Sequence, residues 1–171
     1  MTLTQIVFWT FSALAVFGAA MCITRRSPVA SALWLVQTLF SLAALFVVLD
    51  AQFIAVLQVL VYAGAIMVLF LFVIMLLNLG RPGPSDLKGP VGLAVATLLG
   101  GLLFFQLLRG ATPSAAGTPA GNAMAQLQQE QGIVGAVARP LFSQYLIPFE
   151  ITSVLLLAAI VGAVVLAKRK L

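Results

Sequence analysis

FIAVLQVLVYAGAIMVLFLFVIMLLNL, residues 53–79, lies in the longest stretch of this 171-residue chain that has no charged side chain. As a helix, these 27 residues are about 40 Å long at 1.5 Å per residue, which exceeds the roughly 30 Å hydrocarbon core of a bilayer. Backbone polar groups in lipid must pair within their own segment, so this run is predicted to be a transmembrane helix. Because it is longer than the core, the helix must tilt, kink or protrude.

Four other apolar runs approach the roughly 20 residues that cross a bilayer. They lie at about 3–23, 28–49, 90–108 and 147–167. Together with the run at 53–79, they predict an all-α membrane protein of five transmembrane helices that forms a single membrane domain over residues 1–171. The long connection at 110–141 is predicted to be an outer loop, in which a short helix lies on the outer face or against a partner.

The composition excludes several classes of protein. Hydrophobic residues make up 63% of the chain and charged residues 8%, whereas soluble domains carry about 25% charged residues. This excludes a soluble enzyme, a disordered tail and a nucleic-acid binder. The chain has no His and a single Cys, so by itself it cannot build haem, zinc, copper or iron–sulfur sites, a disulfide or a Ser-His-Asp triad. We therefore expect it to bind no cofactor or metal and to act in ion movement, packing or gating.

The positions of the nine Lys and Arg residues predict the orientation in the membrane. With five spans, only Arg109 and Arg139 lie on one side. The cations on the other side are Arg25, Arg26, Arg81, Lys88, Lys168, Arg169 and Lys170. This asymmetry predicts an N-terminus outside, in the periplasm, and a cytoplasmic C-terminus.

Two residues near the middle of the third helix have competing interpretations. Tyr62 lies about 14 Å from the outer end of the helix, close to the bilayer midplane. Its hydroxyl either forms a hydrogen bond to another helix or contacts water in a pathway. Gly64 is either a notch for close packing or a flexible point where a π-bulge interrupts the helix.

Two carboxylates are predicted at the outer boundary of the membrane. Asp50 ends the second helix and Glu150 begins the fifth. They either orient helix ends near water or take part in ion exit or partner contact. No helix has a Lys, His or carboxylate at its centre, so the titrating groups of any proton path must come from another chain.

Small residues at four-residue spacing let helix backbones approach closely. Such pairs occur in the first, fourth and fifth helices: Ala15 with Ala19, Gly92 with Ala96 and Gly100, and Ala158 with Gly162. They pack either within this chain or against other subunits. Because several helices carry such pairs of small residues, we expect this chain to be part of a larger complex.

Four pieces of the chain, spread over the range 27–157, resemble the J subunit of NADH–quinone oxidoreductase, respiratory complex I, whose mitochondrial counterpart is chain 6. They are Val59–Asn78, which includes Tyr-Ala-Gly-Ala, and Ser27–Leu33, Asp50–Phe53 and Phe149–Leu157. The resemblance implies a third helix with a π-bulge near the Tyr-Ala-Gly stretch. It also implies that conversion of the bulge to α-helix opens or closes a water route that couples quinone reduction to proton translocation.

The resemblance assigns this gating to named residues and to a setting. Tyr62 would bind pathway water, Gly64 would permit the rearrangement, and Met67, Val68 and Phe70 would form a dry plug. The implied partners are the A, K and H subunits and the antiporter-like subunits, with membrane carboxylates from the K subunit. NADH, FMN, iron–sulfur clusters and quinone would be bound by other subunits, and the complex would lie in the bacterial inner membrane.

Three alternatives remain at this stage. The chain could be the equivalent module of a membrane-bound hydrogenase or of a multisubunit cation/proton antiporter, which neighbouring genes would distinguish. It could be a stand-alone homo-oligomeric transporter or channel, although the absence of a mid-membrane charge argues against this. It could also be a purely structural scaffold.

Overall fold

The structure, a computed structural model, describes residues 2–77, 90–110 and 119–168, and the regular structure in these ranges is helical. The helices are α1 (Leu3–Thr24), α2 (Pro28–Val48), α3 (Gln52–Leu76), α4 (Pro90–Gly110), α5 (Pro119–Ser143) and α6 (Leu146–Ala167). The predicted features that lie outside the described residues are the end of the third helix at 78–79, residues 111–118 of the outer loop, and the cations Arg81, Lys88, Arg169 and Lys170.

Four of these helices are long and apolar enough to cross a membrane: α1, α2, α3 and α6. In α4, the residues at Ala94–Gln106 form a further apolar helical stretch. Very little of these helices is buried within the chain, and in α6 no residue is. An all-helical membrane protein is therefore confirmed for the described ranges.

α1 and α2 form an antiparallel hairpin with a close central contact. A Cβ atom placed on Gly18 would lie 2.6 Å from Thr38 Oγ1, and both residues are buried. At the connected end of the hairpin, the Ser31 hydroxyl donates a 2.6 Å hydrogen bond to the Cys22 carbonyl. Ala15 is buried as well, but Ala19 is exposed. Within this chain, the small residue that meets α2 beside Ala15 is therefore Gly18, three positions later, while packing of Ala19 against another subunit stays a prediction.

α3 packs along α2 over its whole length. The residues of α3 that become buried are small or flexible: Ala55, Ala63 and Met67. On α2, Ser41 is almost completely buried, and its hydroxyl donates to the Gln37 carbonyl at 3.0 Å. Small side chains thus bring the two backbones together, and α2 serves as the support on which the third helix lies.

The segment predicted as the outer loop at 110–141 is more helical than expected. α5 covers Pro119–Ser143, with a kink at Gly132, where φ is 75° and ψ is 166°. The Ala, Gln and Leu residues at 123–131 favour helix, and glycine readily adopts the positive φ that interrupts it. α5 packs against α6, where the rings of Phe142 and Phe149 meet edge to face at 5.1 Å. Residues from Pro119 onward form a compact unit separate from residues 1–118.

Candidate functional site: a π-helical segment in the third helix

The middle of α3 is a π-helix. It covers Gln58–Ile66, between an α-helical part at Gln52–Leu57 and another at Met67–Leu76. At its end, the Met67 N–H donates to the Tyr62 carbonyl, five residues earlier, and to the Gly64 carbonyl. Most π geometry in proteins is a single-turn bulge, often at a functional site. The expected π geometry is therefore present in α3, but the π-helical segment is longer than a single bulge.

The local sequence weakens the α-helix at this point. Val59, Val61 and Ile66 are β-branched and lose side-chain freedom in an α-helix, and Gly64 costs about 1 kcal/mol relative to alanine. A Cβ atom on Gly64 would lie 3.1 Å from the Val59 carbonyl oxygen, a tight contact with the backbone five residues earlier. A glycine at this position therefore fits the π-helical segment without strain, whereas any larger residue would crowd it.

The predicted gating residues divide between two faces of α3. Met67 is 6% exposed, and Gly64 is half-buried. In contrast, Tyr62, Val68 and Phe70 are 53%, 61% and 48% exposed. The five residues therefore do not form one cluster within this chain. The outward three face lipid, water or another subunit.

Tyr62 forms no hydrogen bond to another side chain in the part of the chain that the structure describes. Its exposed hydroxyl is thus available to a partner outside this chain. Of the two interpretations of Tyr62, the hydrogen bond to another helix of the same chain has no support in the described ranges. Contact with water or with another subunit remains as the prediction.

Asp50 and Glu150 occupy different kinds of position. Asp50 has φ 59° and directly follows α2, where its N–H donates to the Val47 carbonyl at 3.1 Å. The Ala51 N–H donates to the Phe46 carbonyl at 2.9 Å. Together with the left-handed conformation of Asp50, these two bonds form a Schellman motif, which ends the helix. Glu150 is exposed in the first turns of α6.

Sequence reasoning missed the two alanines that seat α3 on α2. Ala55 and Ala63 are each 4% exposed, on either side of the start of the π-helical segment. Their eight-residue spacing is the signal that could have found them, because it returns to the same helix face after slightly more than two turns. Between α2 and the first half of α3 runs an apolar groove of about 500 Å³ that ends at Val59 and Leu60, the second and third residues of the π-helical segment.

These features define the chain as an all-helical integral membrane protein whose third helix is interrupted at mid-length by a π-helical segment and carries no charge. The chain belongs to the family of NADH-ubiquinone/plastoquinone oxidoreductase chain 6, whose family model matches residues 18–166. It is therefore a membrane subunit of an enzyme complex of the NADH–quinone oxidoreductase family, as the resemblance at the Tyr-Ala-Gly stretch predicts.

Individual relatives match over nearly the whole chain. The chain is 33% identical to NADH-quinone oxidoreductase subunit J of Rhodobacter capsulatus, over 99% of this chain and 84% of the relative. It is 36% identical to the subunit J of Pseudomonas aeruginosa, over 96% of this chain and 97% of the relative. It is also 33% identical to F(420)H(2) dehydrogenase subunit J of Methanosarcina mazei, over 95% and 89%.

Proposed function

We propose that this subunit couples quinone reduction to proton translocation. In this proposal, the π-helical segment of α3 opens and closes a water route. The observation that carries the proposal is the π-helix at Gln58–Ile66, which contains Tyr62 and Gly64. Each π turn holds about one residue more than an α turn. When one π turn converts to an α turn, that turn holds one residue fewer. The helix beyond it then rotates by about 100°, the angle per residue of an α-helix.

The packing of α3 favours movement of its second half. Before and inside the π-helical segment, Ala55 and Ala63 are seated against α2. After it, Met67 is buried, but Val68, Leu69 and Phe70 are 61%, 63% and 48% exposed. A rotation of Met67–Leu76 would move these bulky apolar side chains away from the water route. The smaller surface around Gly64 would then line the route, so that a wetter passage replaces a dry plug.

The charge pattern restricts this subunit to gating. From 53 to 79 the sequence has no titratable group other than Tyr62, so α3 cannot carry a proton unaided. The titrating carboxylates are supplied by a neighbouring membrane subunit, the K subunit in the family arrangement. The A and H subunits and the antiporter-like subunits are the other proposed neighbours.

Relatives that differ in their electron donor support a role on the membrane side. They include subunits of an F(420)H(2) dehydrogenase and of several NADH- or NAD(P)H-quinone oxidoreductases. A subunit shared by such complexes serves the steps that they have in common. We assign NADH, FMN, iron–sulfur clusters and quinone to other subunits, and the complex to a bacterial inner membrane.

The proposed topology has five spans, with the N-terminus periplasmic and the C-terminus cytoplasmic. Four helices meet the length and hydropathy of a span. The fifth is α4, whose 21 residues extend about 31 Å and so match a hydrocarbon core of about 30 Å. This count leaves Arg25, Arg26 and Lys168 on the same, cytoplasmic side.

Gly64→Val tests the gating proposal in the assembled complex. The new side chain would crowd the Val59 carbonyl in the π form, so the balance between the π and α forms shifts. We expect the protons pumped per quinone reduced to fall about fivefold or more, which corresponds to a bias of roughly 1 kcal/mol. The measurement is quinone reduction and proton uptake by the same proteoliposomes.

Ala65→Val is the matched control, since it adds a β-branched side chain one residue later, at an exposed position that already has a Cβ atom.

Tyr62→Phe, which removes only the hydroxyl, should slow pumping without loss of assembly. If assembled Gly64→Val complex pumped with the wild-type ratio, a scaffold role would replace gating.

A further inference from the structure

The connected end of the α1–α2 hairpin places a cation over an aromatic ring. The guanidinium carbon of Arg25 lies 6.0 Å from the centroid of the Trp34 ring, within range of a cation–π contact. Trp34 in turn packs edge to face against Phe17, with ring centroids 5.5 Å apart. The position of Arg25 is therefore set by a side chain of α2 rather than left to solvent.

Deeper along the α1–α2 hairpin than Arg25, an apolar groove of about 460 Å³ lies on the surface of the two helices. Its lining residues are Leu14, Phe17, Leu33, Trp34 and Gln37. Phe17 and Leu33 are 54% and 56% exposed, so the groove opens away from the contact between α1 and α2. From Leu14 to Arg25 the helix rises about 16 Å, which is roughly half of the hydrocarbon core of a bilayer. Leu14, the lining residue farthest from Arg25 on α1, therefore lies about one leaflet below the cation, within reach of an acyl chain whose headgroup is at Arg25.

The charges at the mouth of the groove have no acidic counterpart nearby among the described residues 2–77 and 90–110. Arg25 and Arg26 are adjacent and exposed, and neither forms an ion pair with any residue that the structure describes. Asp50 is the one carboxylate in the described ranges 2–77 and 90–110. It lies at the opposite end of α2, about 30 Å away along the helix. No carboxylate of these described ranges neutralises the mouth, which therefore favours an anion.

We propose that this groove binds an anionic phospholipid. The headgroup phosphate lies against Arg25 and Arg26, and one acyl chain lies along Leu14, Phe17 and Leu33. A single molecule that carries an anion next to a hydrocarbon chain accounts for both the apolar groove and the two cations above it, which form no ion pair with a described residue. Basic pockets at the ends of membrane helices recognise anionic headgroups in this way.

Photo-crosslinking in the intact complex tests the proposal. The probe is a phosphatidylglycerol with a diazirine on its acyl chain, compared with a phosphatidylcholine that carries the same chain, each at a few per cent in phosphatidylcholine vesicles. We expect phosphatidylglycerol to label residues 14–37 several-fold more than phosphatidylcholine. Arg25→Gln with Arg26→Gln should lower this labelling by about fivefold per arginine.

Lys168→Gln is the matched control, because it removes an exposed cation at the end of α6 and should leave the labelling of residues 14–37 unchanged. Leu33→Trp should lower labelling by both probes, since it fills the groove while both arginines remain. Three results would overturn the proposal: equal labelling of the wild type by the two lipids, labelling that survives loss of both arginines, or crosslinks from the groove to another subunit in place of lipid. The comparison of the two lipids uses only the wild-type complex, so it decides even if a variant fails to assemble.

Discussion

At the scale of single residues, Asp50 shows how a backbone position can account for a charged residue. It adopts φ 59°, a left-handed conformation that costs most L-residues about 1–2 kcal/mol. Asp is among the residues that tolerate it, and glycine adopts it most readily. From the sequence, Asp50 is a boundary charge that either orients a helix end or serves ion exit. The structure adds that it terminates α2 and sets the start of α3 only two residues later.

The first prediction separates these roles of Asp50. Asp50→Gly should raise the heat resistance of the assembled subunit slightly, and Asp50→Val should lower its stability by about 1–2 kcal/mol, because valine is strained at this φ. The temperature at which half of the subunit leaves the complex on a native gel measures the difference. Valine and glycine variants of equal stability would contradict the backbone role.

Asp50→Asn completes the test, since asparagine keeps the tolerance for a left-handed conformation but removes the charge. If backbone conformation is the role of Asp50, this variant should assemble and pump as the wild type does. A loss of pumping in a normally assembled Asn variant would instead support the ion-exit interpretation.

At the scale of the helices, the α1–α2 hairpin is held by one close approach. Gly18 faces Thr38, whose hydroxyl donates to the Trp34 carbonyl at 3.0 Å and so turns back onto its own helix. This bond satisfies the only polar atom of the Thr38 side chain without a partner on α1. The two backbones can therefore approach with no unpaired polar group between them.

The second prediction concerns this contact. Gly18→Ala would place a methyl group 2.6 Å from Thr38 Oγ1, which forces the helices apart and should cost about 1–3 kcal/mol. Adding Thr38→Ala should restore most of the loss, because the next atoms are at ordinary contact distances of 3.4 and 3.6 Å. Heat resistance of the assembled subunit on native gels measures both variants.

Gly162→Ala is the control for this pair, since no atom of the described chain lies within 4 Å of the added methyl group. A single Gly18→Ala variant as stable as the wild type would show that the hairpin can open without cost. A double variant no better than the single one would place the strain somewhere other than Thr38.

At the scale of the whole molecule, most of the apolar surface of the described residues is uncovered. α6 has no buried residue, and a Cβ atom on Gly92, Gly100 or Gly162 would meet no other atom of the described chain within 4 Å. The small residues of α4 and α6 therefore contribute no packing within the described chain. This agrees with the expectation of a larger complex, in which lipid and other subunits cover these helices.

The third prediction concerns the topology. In a Cys22→Ser background, a cysteine at position 2 should react with an impermeant maleimide added to intact spheroplasts. A cysteine at position 168 should react only after lysis, because five spans place the ends on opposite sides. Reaction of both positions, or of neither, before lysis would indicate an even number of spans.

Much of the membrane architecture follows from local sequence, and the site follows only in part. Runs of about 20 apolar residues with few charges predict helices at nearly the observed bounds, because each helix in lipid must satisfy its own backbone. The π geometry near Gly64 was expected from the family resemblance, whereas the residues alone pointed first to a packing notch and only second to a flexible point. Its nine-residue extent, Gln58–Ile66, was not expected.

By itself, then, the sequence determined that this is a helical membrane subunit of the NADH–quinone oxidoreductase family, that its third helix is uncharged, and that its cations are unevenly distributed. Membrane insertion depends on the composition of each segment, which can be read along the chain. The tertiary structure alone decided that Gly18 rather than Ala19 meets α2, that Ala55 and Ala63 seat the π-helical segment, that Asp50 is left-handed, and that Arg25 lies over Trp34. These features depend on how two helices approach and rotate against each other, and residues far apart in sequence determine that together.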